Sequence, residues 1–112
     1  MEKQQIVSLK ILITGNSGFI GKETQKLLIK TGYQVIGYDL MQGKDIRDAN
    51  QLESIVIERK PDRILHLAAI ARFSDADKDP KLAMETNVIG TMNVVNVAKK
   101  YSIQVEYLRK FK

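Results

Sequence analysis

Residues 14–21 of the chain read Thr14-Gly15-Asn16-Ser17-Gly18-Phe19-Ile20-Gly21, with three glycines spaced three residues apart. An apolar run, Leu9–Ile13, precedes this stretch and is typical of a buried parallel strand. The following segment, Phe19–Thr31, carries apolar residues among lysines, glutamates and glutamines, and the glycine after it is typical of a helix end. The sequence therefore predicts a strand, a glycine-rich turn and a helix, in that order.

Strands and helices are predicted to alternate along the rest of the chain. The pattern predicts a strand over Tyr33–Tyr38, a helix from the capping residue Asp48 to a stop at Pro61, a strand over Arg63–Leu67, a long helix over Pro80–Tyr101 and a last strand over Gln104–Leu108. Such alternation is typical of βαβ units with right-handed crossovers. We therefore predict an α/β fold, a Rossmann-type parallel sheet of four to five strands with helices on both faces.

The composition is that of an ordinary folded domain. The 112 residues are 44% hydrophobic and 28% charged, which favours one domain with a core over a disordered chain. No cysteine is present, so disulfides, thiolate metal sites and cysteine nucleophiles are excluded. The polar Met1–Ser8 and the short apolar run after it lack the length of a signal-peptide core or a membrane span. We expect a cytoplasmic protein with no membrane association and no bound metal.

The positive net charge is concentrated at one end of the chain. Of the formal charge of +5, residues 99–112 contribute +4, because they hold five basic residues against Glu106. The other residues are nearly neutral, and a basic terminus is more often a solvated end than a groove that follows phosphates. We therefore expect no binding to nucleic acid.

Each glycine of the turn has a physical reason for its position. Gly15 permits a tight turn after the strand, Gly18 lets the main chain approach a pyrophosphate, and Gly21 lets the helix lie close to the sheet. The phosphates would lie on free N–H groups of the turn and the first helical residues, at the positive end of the helix dipole. The predicted contacts of this turn are Gly15, Asn16, Ser17, Gly18, Phe19, Ile20 and Gly21.

An acidic residue, Asp39, ends the second predicted strand eighteen residues after Gly21. A carboxylate there accepts hydrogen bonds from the adenosine ribose and repels a 2′-phosphate, and the nearest basic residue beyond it is Lys44. The pattern therefore favours NAD over NADP. A glycine turn without a ligand is the alternative. The phosphate loop of nucleotide hydrolases is excluded, because Glu23 follows Gly21-Lys22 where serine or threonine would bind magnesium.

Four motifs in order resemble the extended short-chain dehydrogenases, the NAD-dependent epimerases and dehydratases that act on sugar nucleotides. They are the glycine turn, Asp45-Ile46-Arg47-Asp48, His66-Leu67-Ala68-Ala69, and Pro80 followed by Thr86-Asn87-Val88-x-Gly90-Thr91. The resemblance implies that Asp45 binds the adenine amino group and that the backbone of Ile46 contacts the adenine ring. It further implies that Leu67, Ala68 and Ala69 lie near the pyrophosphate and nicotinamide ribose, and that Asn87 supports the nicotinamide end.

Two residues of these motifs have simpler interpretations. Asp48 is better explained as a helix cap than as an adenine contact. A lone histidine in an apolar strand, such as His66, is more often a satisfied core residue than a base, so we assign it no catalytic role.

The catalytic pair that the resemblance would bring is missing. The family's chemistry needs a tyrosine followed four residues later by lysine, and none of the four tyrosines has one. We expect no catalytic residue in this chain, which would be a single, incomplete NAD-binding domain over residues 1–112, truncated before the substrate domain. It would bind the dinucleotide without turnover. The alternative is a stand-alone NAD-binding regulatory module or a non-functional remnant.

Two surfaces of the predicted fold are expected to be covered by a partner. The helix over residues 81–100 is apolar on more than one side, and the last strand leaves an open sheet edge. We therefore expect a homo-oligomer formed through this helix or this edge.

Overall fold

The computed structural model describes residues 8–68 and 79–107. Four strands and six helical segments occur within these two ranges. In chain order they are β1 (Lys10–Thr14), α1 (Phe19–Thr31), β2 (Gln34–Tyr38), a 3-10 turn (Leu40–Gln42), α2 (Ala49–Arg59), β3 (Arg63–His66), α3 (Pro80–Met84), a π-helical turn (Glu85–Ile89), α4 (Gly90–Lys100) and β4 (Gln104–Tyr107). No helix in this part of the chain is long and apolar enough to cross a membrane.

The four strands form one parallel sheet in the order β2-β1-β3-β4. Leu12 of β1 pairs with Ile36 on one side and with Ile64 on the other. The chain therefore passes from β1 to β2 in one direction and then returns across β1 to β3. Parallel sheets of this kind have their crevice at the carboxyl ends of the strands, where the direction reverses. The predicted fold class is confirmed.

Hydrophobic clusters lie on both faces of the sheet because successive residues of a strand point to opposite sides. The larger cluster packs under α2 and α4 and contains Leu12, Ile36, Tyr38, Ile46, Leu52, Val56, Ile64, Val94, Val97 and Ala98. The smaller cluster contains Ile11, Ile13 and Leu67, with Leu28 of α1 and neighbouring apolar residues packed against it. Helices cover both faces, as predicted, and β1 is buried from both sides.

The predicted boundaries agree with the structure to within one residue for β1, β2 and β3, and α1 has its predicted bounds. The last strand begins at Gln104 as predicted, and its predicted end, Leu108, lies outside the described residues. Gly32 ends α1 in the left-handed conformation, with φ 107°. The Asp48 carboxylate accepts a hydrogen bond from the Gln51 N–H at 3.1 Å, so its prediction as a helix cap is confirmed.

The long helix predicted over Pro80–Tyr101 is present, with a wider turn in its middle that the sequence did not indicate. The chain is helical throughout Pro80–Lys100, but its middle turn, Glu85–Ile89, has π-helical hydrogen bonding. Apolar spacing does not specify this wider turn, because the apolar pattern is nearly the same in a regular helix. Glu85 in this turn pairs with Arg47, and their Oε2 and Nη1 atoms are 3.3 Å apart.

A buried polar network joins the ends of β1 and β3 to α4. The Thr14 hydroxyl oxygen accepts hydrogen bonds from the N–H groups of Leu67 and Ala68, at 3.0 and 3.2 Å. Because these two bonds use both lone pairs of the oxygen, the Thr14 hydroxyl donates its proton to Nδ1 of His66, 2.6 Å away. The His66 ring is therefore protonated on Nε2, which donates to the Thr91 hydroxyl at 3.0 Å. His66 is a satisfied core residue, as the sequence predicted.

The close packing at the turn predicts unequal responses of two glycines to a methyl group. A Cβ atom on Gly21 would overlap the Gly15 carbonyl oxygen and lie 2.8 Å from the Asn16 Cα atom, whereas one on Gly18 would meet only that oxygen, at 3.4 Å. We expect Gly21→Ala to lower the free energy of unfolding by about 3 kcal/mol and Gly18→Ala by less than about 1 kcal/mol. Urea unfolding followed by circular dichroism measures both. Equal losses would contradict the packing described.

The histidine network predicts acid sensitivity in a defined pH window. Burial lowers the pKa of His66 to about 4, whereas an unfolded histidine titrates near 6.5. The unfolded chain therefore binds an extra proton between these values, and the free energy of unfolding should fall by about 1 kcal/mol per pH unit as the pH drops from 6.5 towards 4. Urea unfolding at several pH values should show this slope in the native chain and lose it in His66→Asn. An unchanged slope in the variant would contradict the assignment.

Candidate cofactor site

The open crevice lies at the carboxyl ends of β1, β2 and β3. Residues from the glycine turn, the end of β2, the loop after it, the end of β3 and the π-helical turn line it. They are Gly15, Gly18, Tyr38, Asp39, Leu40, Lys44, Asp45, Ile46, Leu67, Ala68 and Thr86. Seven residues of the sequence-predicted set therefore meet at one place, although they come from four separate segments of the chain: Gly15 and Gly18, Asp39, Asp45 and Ile46, and Leu67 and Ala68.

The glycine turn is the tightest part of this wall. Gly15 has φ +76° and donates its N–H to the Tyr38 carbonyl oxygen at 2.9 Å. A Cβ atom on it would lie 2.9 Å from the Ala68 main-chain nitrogen. Only a residue without a side chain fits between the ends of β1 and β3 in this conformation.

The start of α1 has no side-chain cap. Gly18 is its N-cap residue and provides no side-chain acceptor, and no described residue accepts a hydrogen bond from the N–H groups of Phe19 or Ile20. The side chains of Phe19 and Ile20 are exposed, so any part they take in this wall is through their main chain. Unpaired N–H groups and the helix dipole together create a place where an anion is stabilised.

Asn16 and Ser17 have different environments within the turn. The Asn16 side chain is buried and donates to Gln25 Oε1 of α1 at 2.9 Å, so it is directed into the protein. Its Oδ1 atom has no partner among the described residues. The Ser17 N–H donates to Asp39 Oδ2 at 3.1 Å. This bond holds the glycine turn against the end of β2.

Asp39 holds its carboxylate in the crevice wall through two main-chain donors. Oδ2 accepts from Ser17, and Oδ1 accepts from the Met41 N–H at 2.9 Å, which caps the 3-10 turn. Each carboxylate oxygen has a second lone pair, so the group keeps acceptor capacity for a ligand hydroxyl. The side chain is therefore oriented before any ligand binds.

The main chain of Lys44 lies beside that of Asp39, although four residues separate them in the sequence. The 3-10 turn and Gly43, with φ 72°, reverse the chain, so that the Lys44 N–H donates to the Asp39 carbonyl oxygen at 3.1 Å. The Lys44 ammonium group donates to the Gly37 carbonyl oxygen at 3.2 Å. The reversal thus brings Lys44, the nearest basic residue after Asp39 in the sequence, into the same crevice wall as Asp39.

Asp45 lies in the wall with its carboxylate bound by its own chain. The Arg47 guanidinium donates to both carboxylate oxygens, with an Nη2–Oδ2 distance of 2.7 Å, and the Arg47 N–H donates to Oδ1 at 2.9 Å. The hydrogen bond with the Arg47 side chain is the main cause that lowers the pKa of Asp45. Arg47 also reaches Glu85, so it connects this loop to the π-helical turn.

The loop around Asp45 and Ile46 is fixed from below by buried side chains. The Tyr38 hydroxyl donates to the Asp45 carbonyl oxygen at 3.0 Å, and Gln51 Oε1 accepts from the Asp45 N–H at 2.8 Å. Ile46 is buried against Gly90, and its carbonyl oxygen accepts from Asn93 Nδ2 at 3.0 Å. The sequence reasoning did not identify Asn93 as an anchor of this loop.

The floor and the far end of the crevice contain the remaining predicted residues. Leu67 and Ala68 follow β3, and the Leu67 N–H donates to the Thr14 carbonyl oxygen at 3.0 Å, so these two residues lie beside the end of β1. Ala69 lies outside the described residues. Asn87 is on the π-helical turn, where its buried Oδ1 atom has no partner among the described residues. Asn87 does not itself line the crevice; its neighbour Thr86 does, and the sequence reasoning missed it.

Tyr38 is the tyrosine of the crevice wall, and its chemistry does not suit a base. Burial raises the pKa of its phenol, and the charges of Asp48 and Asp45 raise it further. A proton-accepting phenolate needs the opposite shift. The side chain serves as a buried hydrogen-bond donor to the Asp45 loop.

Comparisons with known proteins agree with this geometry. The sequence model of the NAD dependent epimerase/dehydratase family matches residues 11–109. A UDP-glucose 4-epimerase from Rhizobium meliloti is 34% identical over 101 residues, which are 79% of this chain and 31% of that protein. A dTDP-glucose 4,6-dehydratase from Salmonella typhimurium is 31% identical, over 83% of this chain and 32% of that protein.

Solved structures give the same result. The UDP-glucose 4-epimerase of Thermus thermophilus in complex with NAD matches with a TM-score of 0.76 and 28% identity, over 85% of this chain and 35% of that one. The dTDP-4-dehydrorhamnose reductase of Bacillus anthracis in complex with NADP matches with a TM-score of 0.79 and 28% identity, over 91% of this chain and 36% of that one. The chain thus spans about a third of the length of these relatives. With the family model matching nearly the whole chain and the fold agreeing, the chain belongs to the NAD-dependent epimerase/dehydratase family.

Proposed function

We propose that the chain binds a nicotinamide dinucleotide in the described crevice and forms the cofactor-binding part of a nucleotide-sugar epimerase, dehydratase or reductase. One observation carries the proposal. The uncapped start of α1, behind the turn from Gly15 to Gly21, and the oriented carboxylate of Asp39 face the same crevice. The proposal includes a single, incomplete Rossmann domain over residues 1–112, with the substrate-binding part of the protein supplied by other residues.

The pyrophosphate of the dinucleotide would occupy the start of α1. The N–H groups of Phe19 and Ile20 have no acceptor among the described residues, and two linked phosphates provide several. Gly18 has no side chain between these groups and the crevice, and a methyl group there would meet only the Gly15 carbonyl oxygen. The residues present therefore suit a close approach of phosphate to the main chain.

The adenosine ribose would bind to Asp39, whose second lone pairs accept both ribose hydroxyls. This carboxylate also repels a 2′-phosphate, which favours NAD over NADP. The adenine ring would contact Ile46 and the Asp45 loop. Because Arg47 already binds both oxygens of Asp45, the adenine amino group would share this carboxylate with the guanidinium.

The nicotinamide end would lie along Leu67 and Ala68, towards the π-helical turn. Asn87 has a buried Oδ1 atom without a partner among the described residues. This free acceptor suits a role beside the carboxamide group of the nicotinamide ring. The bound nicotinamide supplies hydride transfer. The residues of this chain would bind and orient the dinucleotide, and no tyrosine of the described residues is followed four residues later by a lysine that would lower the pKa of its phenol.

Isothermal titration calorimetry with NAD tests the proposal. We expect the full chain to bind NAD and Asp39→Ala to weaken that binding by about tenfold, since hydrogen bonds from two hydroxyls to a charged group are lost. Gly18→Ala should also weaken binding while the protein stays folded. Glu58→Ala, which removes an exposed carboxylate of α2, is the matched control and should bind as the native chain does. No heat of binding with either NAD or NADP would contradict the proposal.

The exposed apolar side of the helical stretch Pro80–Lys100 favours self-association. Met84, Val88, Met92 and Val95 recur at spacings of three and four residues, and each is 42–60% exposed. In addition, β4 pairs only with β3 among the described strands, so it forms an edge of the sheet. We propose that a second copy of the chain covers this helix, with the β4 edge as the less apolar alternative.

Light scattering during size exclusion tests self-association. We expect a mass of at least two chains at micromolar concentration for the native protein and of one chain for Met92→Glu, because a buried unpaired charge opposes apolar packing. Ile57→Glu places the same charge on an exposed apolar position of α2 and should leave the mass unchanged. A native mass of one chain would contradict self-association.

A further inference from the structure

We infer that Lys44 determines cofactor specificity: its ammonium group binds the 2′-phosphate of NADP and narrows the preference for NAD that Asp39 sets. This inference rests on the proposed function, because it assigns a role within the same crevice. It concerns a residue that none of the recognised motifs contains, since Lys44 immediately precedes the Asp45-Ile46-Arg47-Asp48 segment.

The loop after β2 brings the cation to the carboxylate. The carbonyl oxygen of Asp39 accepts hydrogen bonds from both the Gln42 and the Lys44 N–H groups, at 2.9 and 3.1 Å. Gly43 completes the reversal in the left-handed conformation, which few other residues adopt. Asp39 and Lys44 therefore line the same wall of the crevice. A 2′-phosphate on a ribose held by Asp39 would lie between them.

The ammonium group is oriented and has donors to spare. Lys44 is half-buried, and its Nζ atom donates to the Gly37 carbonyl oxygen at 3.2 Å. A lysine ammonium has three N–H donors, so two are left for phosphate oxygens. Holding the stem in place also reduces the side-chain entropy that binding would otherwise cost.

The neighbouring cation is already neutralised. Arg47 also lies close to the crevice, but its guanidinium donates to Asp45 and to Glu85. Among the described residues that line the crevice, Lys44 is the one cation. A 2′-phosphate carries close to two negative charges at neutral pH, so Asp39 repels it and Lys44 attracts it. The balance of these two side chains would set the ratio of NAD to NADP affinity.

Four proteins test this balance by calorimetry: the native chain, Asp39→Asn, Lys44→Met and the double variant. The readout is the ratio of the NADP to the NAD dissociation constant, so that a loss of affinity common to both dinucleotides cancels. We expect Lys44→Met to raise this ratio about tenfold, as loss of a charge-assisted phosphate contact does. Asp39→Asn should lower the ratio about tenfold, which is a gain in relative affinity for NADP. The double variant, which also carries Lys44→Met, should lose this gain.

Two controls separate the role of Lys44 from general effects. Lys44→Arg keeps the charge and should keep the native ratio to within about threefold. Lys30→Met removes an exposed lysine at the far end of α1 and should leave the ratio unchanged. The ratio in Asp39→Asn should also rise with salt concentration, because phosphate binding to a partly exposed cation is screened and no opposing carboxylate is left at position 39.

The possible failures are distinguishable. If Lys44→Met leaves the ratio unchanged in both the native and the Asp39→Asn background, the role of Lys44 is overturned. NAD binding, and with it the proposed function, would be unaffected by that result. A native chain that binds neither dinucleotide would overturn the proposed function, and this inference with it.

Discussion

The contact between three pieces of main chain at Gly15, Gly21 and Ala68 is the constraint on which the rest of the structure depends. Gly15 turns with positive φ against the Ala68 nitrogen, and Gly21 lies against the Gly15 carbonyl oxygen. This contact fixes the ends of β1 and β3 and the start of α1 relative to one another. The crevice is formed by these same atoms, so the packing that closes the core also presents N–H groups to a ligand.

Asp39 shows how a binding group is oriented by the fold. Its two carboxylate oxygens accept main-chain hydrogen bonds from Ser17 of the glycine turn and Met41 of the 3-10 turn. The cost of ordering the carboxylate is thus met during folding rather than on binding. The same principle applies to the Asp45 loop, which Tyr38 and Gln51 hold from the protein interior. A preformed site of this kind is consistent with membership of a family that contains NAD and NADP complexes.

Most of the fold was predictable because local signals and burial agreed along the chain. The runs of Leu9–Ile13 and Arg63–Leu67 are apolar because parallel strands are covered on both faces, and caps such as Asp48 and Gly32 mark helix ends through local hydrogen bonds. The π-helical turn at Glu85–Ile89 was not predictable, because apolar spacing is nearly the same in a regular helix. The helix is joined to the Ile46 loop and Arg47, which are remote in sequence, through Glu85 of this turn and Gly90 directly after it.

The sequence by itself determined the order of strands and helices, the glycine turn, the acidic residue after β2 and the family resemblance, since each depends on spacing within a short segment. Only the tertiary structure decided which side chains share the crevice. It placed Lys44 beside Asp39, bound Asp45 to Arg47, and put Thr86 in the wall, with Asn87 behind it. These relations follow from chain reversals and from helix packing against a twisted sheet. The physical reason is that charges and hydrogen bonds act through distance in space, which spacing along the chain does not encode.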